Sequence, residues 1–387
     1  MRFFHLSDLH IGKTLHGYSL KEDQTHILNE VVEYAGKLCP DAVVISGDIY
    51  DKAAPSAEAV SIFDTFLTEL AALRPKVPVL LISGNHDSAK RLDYARRILA
   101  DQQIYIAGQV PAQPGEHMEK VSLIDGFGEV DFYLLPFLKP GYVRELFAEK
   151  ELSTYSEAVF AMIEREHIDF SRRNVLVSHQ FYTRKGQESV TCDSEVFSVG
   201  GIDNVDSHIV EAFDYVALGH LHGSQTVGDE HIRYCGTLLK YSVSEASHEK
   251  TLHVVELGEK GQPVKIEKLP LHPKRDVRIY RGELDEILEA AQKEEKDCIE
   301  DYVSITLTDE KELYKPKEQL ERVFSHILEI RLDNARIRKK LAFDNEEVIL
   351  RSPVCVFADF FREMQGRELS EEERKVVETV AETAGGR

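Results

Sequence analysis

Five short apolar runs punctuate the chain, at Phe3-Phe4-His5-Leu6, Ala42-Val43-Val44-Ile45, Val79-Leu80-Leu81-Ile82, Val175-Leu176-Val177 and Tyr215-Val216-Ala217-Leu218. Runs without polar alternation predict strands covered on both faces. Between the first two, residues 22–38 place Ile27, Leu28, Val31, Val32, Ala35 and Leu38 at the spacing of one helical face. Pro55-Ser56 marks another helix start, and Val60, Phe63, Leu67 and Leu70 carry a stripe toward a third strand near Val77. This β-α-β-α-β order calls for a largely parallel central sheet with right-handed crossovers. Strands over 121–124 and 131–135 flank Gly126-Phe127-Gly128 as a hairpin, and a helix over roughly 155–167 precedes the Val175 strand.

The pattern changes at Pro270-Leu271-His272-Pro273, where two prolines bracket a boundary. Beyond it, strands at 277–280 and 302–307 and helices at 284–291 and 318–330 predict a small α+β unit. Arg336-Ile337-Arg338-Lys339-Lys340 is basic, and from Pro353 two amphipathic helices are separated by Gln365-Gly366-Arg367. The expected division is a main α/β domain over 1–272, an α+β unit over 273–335, a basic linker over 336–352 and a helical tail over 353–387.

A chain of 387 residues accommodates one large domain with smaller units beside it. Hydrophobic residues make up 42% and charged residues 30%, yet no apolar stretch approaches the roughly 20 residues of a membrane span. Asp8 and His10 interrupt the apolar start, so no export signal is read and a cytoplasmic setting is expected. Cys39, Cys192, Cys235, Cys298 and Cys355 are scattered without a C-x-x-C pair, which points to reduced thiols. A formal net charge of −21 argues against holding DNA by bulk electrostatics, so any such role needs local patches or a partner.

The residues just after each apolar run change the picture most. The runs lead into Asp8-Leu9-His10, Gly47-Asp48, Gly84-Asn85-His86-Asp87, Ser178-His179 and Gly219-His220-Leu221-His222. Open α/β sheets gather ligands at the carboxyl ends of their strands. Asp8, His10, Asp48, Asn85, His179, His220 and His222 would then supply two carboxylates, an amide and four imidazoles to one edge. Mixed oxygen and nitrogen donors suit borderline divalent ions, with Mn²⁺, Fe²⁺ and Zn²⁺ all conceivable. Asp48 is the best bridge between two such ions, which at roughly 3.5–4 Å apart activate water and polarise a phosphate.

Gly47 and Gly84 allow sharp turns where a Cβ would obstruct a metal or phosphate, or are plain turn glycines. His86 has no place among the ligands and can face the leaving oxygen as a general acid or transition-state stabiliser. Asp51 either orients His86 or a ligand, or caps a helix. Lys90 and Arg91, with Arg96 and Arg97, come after the Gly-Asn-His-Asp motif where a phosphate backbone would pass. The 336–340 cluster reads equally as a backbone contact or a solvated face.

Asp-x-His, Gly-Asp, Gly-Asn-His-Asp, His and Gly-His-x-His in this order resemble the calcineurin-like metallophosphoesterase superfamily. Phe4-His5-Leu6-Ser7-Asp8-Leu9-His10-Ile11-Gly12, Ile49-Tyr50-Asp51 with Pro55-Ser56, and Ser178-His179-Gln180-Phe181 are similar to its SbcD family of bacterial nuclease subunits. The resemblance implies a β-sheet sandwich flanked by helices, a small α+β capping domain and a C-terminal helical tail. It implies one metal on Asp8, His10, Asp48 and His222, a second on Asp48, Asn85, His179 and His220, and catalysis by His86 with Mn²⁺. It further implies DNA as substrate, an SbcC-like ATPase of the SMC class as partner, and a dimer within a heterotetramer. Val354, Phe357, Phe360, Phe361 and Met364 make a bulky apolar helix face, which would dock on that partner or fold back on its own core. No Gly-x-x-x-x-Gly-Lys-Ser/Thr loop occurs, so ATP hydrolysis would belong to the partner.

Two rival readings remain. A phosphatase or phosphodiesterase for small phosphoesters would use the same core, although Asp51-Lys52-Ala53 and Asp87 depart from the protein-phosphatase pattern. A scaffold without chemistry would be expected to lack ligands, and none is missing here.

Overall fold

The computed structural model describes residues 1–184, 186, 189–195, 203–293, 299–334, 353–365 and 367–377. Two six-stranded sheets organise the first 270 residues. In the first the spatial order is Lys265–Pro270, Thr251–Glu256, Arg2–Leu6, Ala42–Ile45, Val79–Ile82 and Ile104–Ala107. The last four strands run parallel, as the β-α-β-α-β order requires. Thr251–Glu256 instead pairs antiparallel with Arg2–Leu6, bringing His253 opposite His5. The second sheet has the order Gln225–Val227, Asp229–Tyr234, Tyr215–Leu218, Arg173–Ser178, Gly128–Leu135 and Glu119–Asp125. Its inner four strands are parallel and each edge strand is antiparallel, so both sheets are largely parallel with antiparallel pairing added toward their edges.

The apolar runs are uninterrupted because each strand is covered twice. Phe3, Val44, Leu80, Ile82, Phe132, Val175, Val177 and Tyr215 form the layer between the two sheets. Phe3 meets the edges of Phe132 and Tyr215 at 5.4 and 5.7 Å between ring centroids. Their neighbours Phe4, Leu6, Val43, Ile45, Val79 and Leu81 point the other way, toward helices Lys21–Leu38 and Ala57–Ala72. Leu176, Val216 and Leu218 do the same on the second sheet, packing with Ala158, Val159 and Met162 of helix Tyr155–Arg165. The result is a sandwich with helices on both outer faces.

Local signals set the helix boundaries. The Ser56 side chain accepts from Ala59 N at 3.2 Å, capping the second helix, and Thr154 with Glu157 forms a capping box on Tyr155–Arg165. The buried stripe of Ala57–Ala72 is Ala59, Phe63, Phe66 and Leu70, while Val60 is 45% exposed and Leu67 only partly buried. The phenyl groups fix that face, and Val60 is turned out of it.

By compactness the chain separates into one unit of residues 1–279, 294–304 and 324–329 and another of 280–293, 305–323 and 330–387. A three-stranded sheet of Val277–Gly282, Tyr302–Leu307 and His326–Leu332 comes after the sandwich sheets in sequence. The expected helix over 318–330 is not a single element. A short helix, Pro316–Leu320, is succeeded by the strand His326–Leu332. Leu320 and Phe324 supply the buried spacing that imitates a helix, and sheet pairing overrides it downstream. In the second unit, helix Leu284–Lys293 buries Leu284, Ile287 and Ala291, and helix Pro353–Gln365 carries Phe357 and Phe360, 42% and 58% exposed. Residues 371–377 are helical. The basic segment 336–340, the rest of the 336–352 linker and Gly366 lie outside the described residues. No helix of the described residues is long and apolar enough to cross a membrane.

Candidate metal centre

All seven donor side chains singled out from the sequence arise just after strand ends, and the turns that carry them are tied by main-chain bonds. Asp8 N donates to Gly47 O and His10 N to Asp48 O, each at 3.0 Å. Asp8, His10, Asp48 and His220 have φ of 53°, 42°, 49° and 112°, in the region L-residues rarely adopt. Such conformations concentrate at functional sites because the surroundings over-determine them. A Cβ at Gly47, with φ +93°, would strike the His179 ring, and one at Gly84 would strike the Asp48 carboxylate. Glycine is therefore required at both positions.

The donors form two adjoining groups. In one, His10 Nε2 and His222 Nε2 are 3.1 Å apart, with Asp48 Oδ2 3.8 Å from His10 Nε2. In the other, Asn85 Oδ1 lies 3.1 Å from His179 Nε2 and 3.0 Å from His220 Nδ1, and Asp48 Oδ2 is 3.3 Å from His179 Nε2. Three clusters, Asp8 with His10 and His222, His10 with Asp48 and His86, and Asp8 with Asp48 and His179, each bring one donor atom per residue within 4.8 Å. Donor atoms on one ion at about 2.1 Å are themselves roughly 3.0–3.4 Å apart. The donor set therefore fits divalent ions.

Protonation is arranged to match. Burial holds the His10 imidazolium well below its ordinary pKa and that of His220 down to about 3, so both rings keep lone pairs at neutral pH. Burial also disfavours the charged form of His179, but Asp48 and Asp8 outweigh it and push the ring up to about 9. Without a cation the ring is thus an ion-pair partner of Asp48. Its Nδ1 donates to Ser46 O at 2.7 Å, leaving Nε2 to exchange a proton for a metal.

His86 is held differently. Its main-chain N–H donates to Asp48 Oδ1 at 2.8 Å and its Nδ1 donates to the main-chain oxygen of Asp51 at 2.9 Å. Its ring centroid is 4.8 Å from that of His10. The Asp51 carboxylate instead pairs with Lys13 Nζ at 2.9 Å, with His10 Nδ1 3.9 Å away. Asp51 caps no helix, since Ser56 does that. Lys90 and Arg91 sit exposed on the short helix Ala89–Leu92.

Similarity to known proteins places this geometry in a family. The family model described as calcineurin-like phosphoesterase matches residues 1–224. The chain belongs to the calcineurin-like phosphoesterase family. A second family model, described as type 5 capsule protein repressor C-terminal domain, matches residues 273–365 of this phosphoesterase. A protein named as the D subunit of nuclease SbcCD, from Staphylococcus epidermidis, is 31% identical over 96% of this chain and 95% of its own. One of the same name from Staphylococcus saprophyticus is 28% identical over 98% and 97%. Among solved structures, one titled "GAP50 the anchor in the inner membrane complex of Plasmodium" aligns at 12% identity over 70% of this chain and 89% of its own, with a TM-score of 0.38.

Sequence reasoning missed the groups that brace this phosphoesterase's centre. The Asp87 carboxylate accepts from Ile49 N, Tyr50 N and Gly84 N at 3.0, 2.9 and 2.9 Å, clamping the 84–87 turn to the 47–50 turn. Its place three residues after Gly84 is the one local sign of that role. Gln24 Nε2 donates to His10 O at 2.8 Å, and its Oε1 accepts from Gly12 N at 2.9 Å. Glu245, fully buried, takes Lys250 Nζ at 2.6 Å and lies 3.6 Å from His222 Nδ1. Nothing local in the sequence marks Gln24 or Glu245.

Proposed function

We propose that the chain is the nuclease subunit of an SbcCD-type complex, a two-ion, Mn²⁺-dependent hydrolase of DNA phosphodiester bonds. The observation that carries this is the convergence of seven donors, with the Nε2 atoms of His10 and His222 3.1 Å apart, in a chain similar over nearly its whole length to proteins named as such subunits. One ion would be held by Asp8, His10, Asp48 and His222, the other by Asp48, Asn85, His179 and His220. Bound ions would polarise the scissile phosphate and lower the pKa of the attacking water.

The protein's own groups do the rest. Asp48 spans both donor groups, and its other oxygen fixes the His86 main chain. Because His86 Nδ1 is committed to the Asp51 carbonyl, Nε2 is the atom that carries a proton to the leaving oxygen. Lys90 and Arg91 contact the DNA backbone. Phe357, Phe360 and Phe361 on helix Pro353–Gln365 dock an SbcC-like ATPase, whose nucleotide cycle drives exonuclease action on duplex ends and endonuclease action on hairpins. The working assembly is a dimer of this chain with two ATPase subunits, in DNA repair and recombination.

An end-labelled DNA hairpin incubated with Mn²⁺, with and without partner and ATP, tests this, with Asp48→Ala as the blank. Cleavage that needs Asp48 and rises with partner and ATP is expected. Intact DNA alongside hydrolysis of bis-p-nitrophenyl phosphate would move the activity to small phosphodiesters.

A further inference from the structure

The imidazole of His222 is gripped from behind by a segment that no motif marks. Ser194 Oγ lies 2.7 Å from His222 Nδ1 and 2.6 Å from Glu245 Oε1. A serine hydroxyl has one proton, and a carboxylate can only accept. The Ser194 proton therefore goes to Glu245, and Ser194 Oγ accepts from His222 Nδ1–H. That fixes the tautomer of His222 with its lone pair on Nε2, the atom facing His10 Nε2.

The neighbouring residue holds the same histidine by its main chain. Glu195 Oε1 accepts from His222 N at 2.5 Å, while Glu195 Oε2 accepts from Cys192 N at 2.8 Å. The segment is pinned elsewhere by Val190, which exchanges two bonds with the Gln225 side chain, and by Asp193 N, which donates to Ser244 Oγ at 3.0 Å. Glu245 is fixed in turn by Lys250 Nζ at 2.6 Å and Ser242 Oγ at 3.0 Å. Two consecutive side chains thus set the ring orientation, tautomer and main-chain position of one donor.

We propose that Ser194, backed by Glu245, is a positioning residue that sets the divalent-cation affinity of the Asp8, His10 and His222 side of the centre without touching the cation. The proposal rests on the ligand assignment made under the proposed function. A hydrogen-bond partner behind a ligating histidine typically accounts for 10–100-fold in metal affinity. Only one of the two ions feels this partner, because the Asn85, His179 and His220 side is braced separately through Ser46.

Mn²⁺ titration of the full-length chain, followed by calorimetry and by electron paramagnetic resonance, tests it with Ser194→Ala, Ser194→Thr, Ser194→Val and His222→Ala. Ser194→Ala and Ser194→Val are expected to weaken one Mn²⁺ site by about 10–100-fold and leave the second within about threefold. Ser194→Thr, which has the shape of valine but keeps the hydroxyl, restores the weakened site. Equal affinities for the threonine and valine variants, or wild-type binding by both Ser194→Ala and Ser194→Val, overturn the proposal while a weakened His222→Ala leaves the ligand assignment standing. Two wild-type Mn²⁺ sites in His222→Ala would instead remove that assignment, and the role of Ser194 with it.

Discussion

Replacing Asp87 by alanine removes the clamp between the turn that carries Asn85 and His86 and the turn that carries Asp48. Three main-chain N–H groups, of Ile49, Tyr50 and Gly84, lose a charged acceptor at 2.9–3.0 Å. Hydrogen bonds to a charged group contribute about 1.5–3 kcal/mol each, a gross of roughly 5–9 kcal/mol. Two effects reduce it. The freed N–H groups gain partial hydration, and the carboxylate is itself held unfavourably, since burial and then the Asp48 charge push its pKa up to about 6. The expected net loss is about 2–4 kcal/mol for Asp87→Ala. Asp87→Asn should cost less, about 1–2 kcal/mol, because one amide oxygen can keep the Ile49 and Gly84 bonds while the amide NH₂ faces Tyr50 N–H. Urea unfolding in EDTA measures both losses. Because Asp48 Oδ1 bonds to His86 N in the released turn, Mn²⁺ affinity should also fall by about tenfold or more. An Asp87→Ala chain within about 0.5 kcal/mol of wild type, binding Mn²⁺ normally, would refute the clamp.

His86→Ala should leave Mn²⁺ stoichiometry and affinity nearly unchanged while lowering the turnover of a phosphodiester by about 10²–10⁴-fold; unchanged turnover would remove His86 from the chemistry. Burial keeps the His5 ring neutral, with its pKa down at about 3, and holds cross-strand His253 well below its ordinary value. An unfolded chain gains protons below about pH 6.5 that these folded rings refuse, so stability falls with pH over the window from about 6.5 down to 3, at up to about 1.4 kcal/mol per unit per histidine. Denaturant unfolding at pH 7, 6 and 5 should show a shallower fall for His5→Gln, and an unaltered slope would contradict the buried neutral ring. Removing residues 353–387 should abolish co-purification with the ATPase and leave weak Mn²⁺-dependent cleavage; retained binding would relocate the docking surface.

Those parts of the fold that were legible are the ones coded locally. Phe3-Phe4-His5-Leu6 and Val79-Leu80-Leu81-Ile82 announce themselves because strands sandwiched between a second sheet and a helical layer tolerate no polar alternation. The candidate donors stand out in the sequence for the same reason, since each comes within a few residues of such a run. Illegible were pairings between distant segments, such as Thr251–Glu256 lying antiparallel to Arg2–Leu6, and the strand His326–Leu332, where apolar spacing imitates a helix and sheet pairing decides. The bracing groups were hidden likewise. Gln24, Ser194 and Glu245 are polar residues of no special local pattern, and their roles exist only through partners such as His10 and His222 far along the chain.

The backbone of the centre is stored in conformations that the rest of the fold must hold. Asp8, His10, Asp48 and His220 all sit at positive φ, at a cost of the order of 1–3 kcal/mol each. His10 and His222 bring their Nε2 atoms within 3.1 Å, and with the proton of His222 held on Nδ1 by Ser194, it is His10 Nε2–H that donates across this contact in the metal-free chain. The strained backbone raises the free energy of the metal-free chain, and a divalent cation held by both imidazoles would displace the proton between them. Cation binding and folding are consequently linked: a ligand that binds the folded form alone stabilises it by RT ln(1 + [L]/Kd), about 2.7 kcal/mol at a hundredfold excess over Kd. Asp87, Gln24 and Glu245, bonded to main chain or to a buried lysine, hold the turns of the centre so that a cation would meet donors already in place.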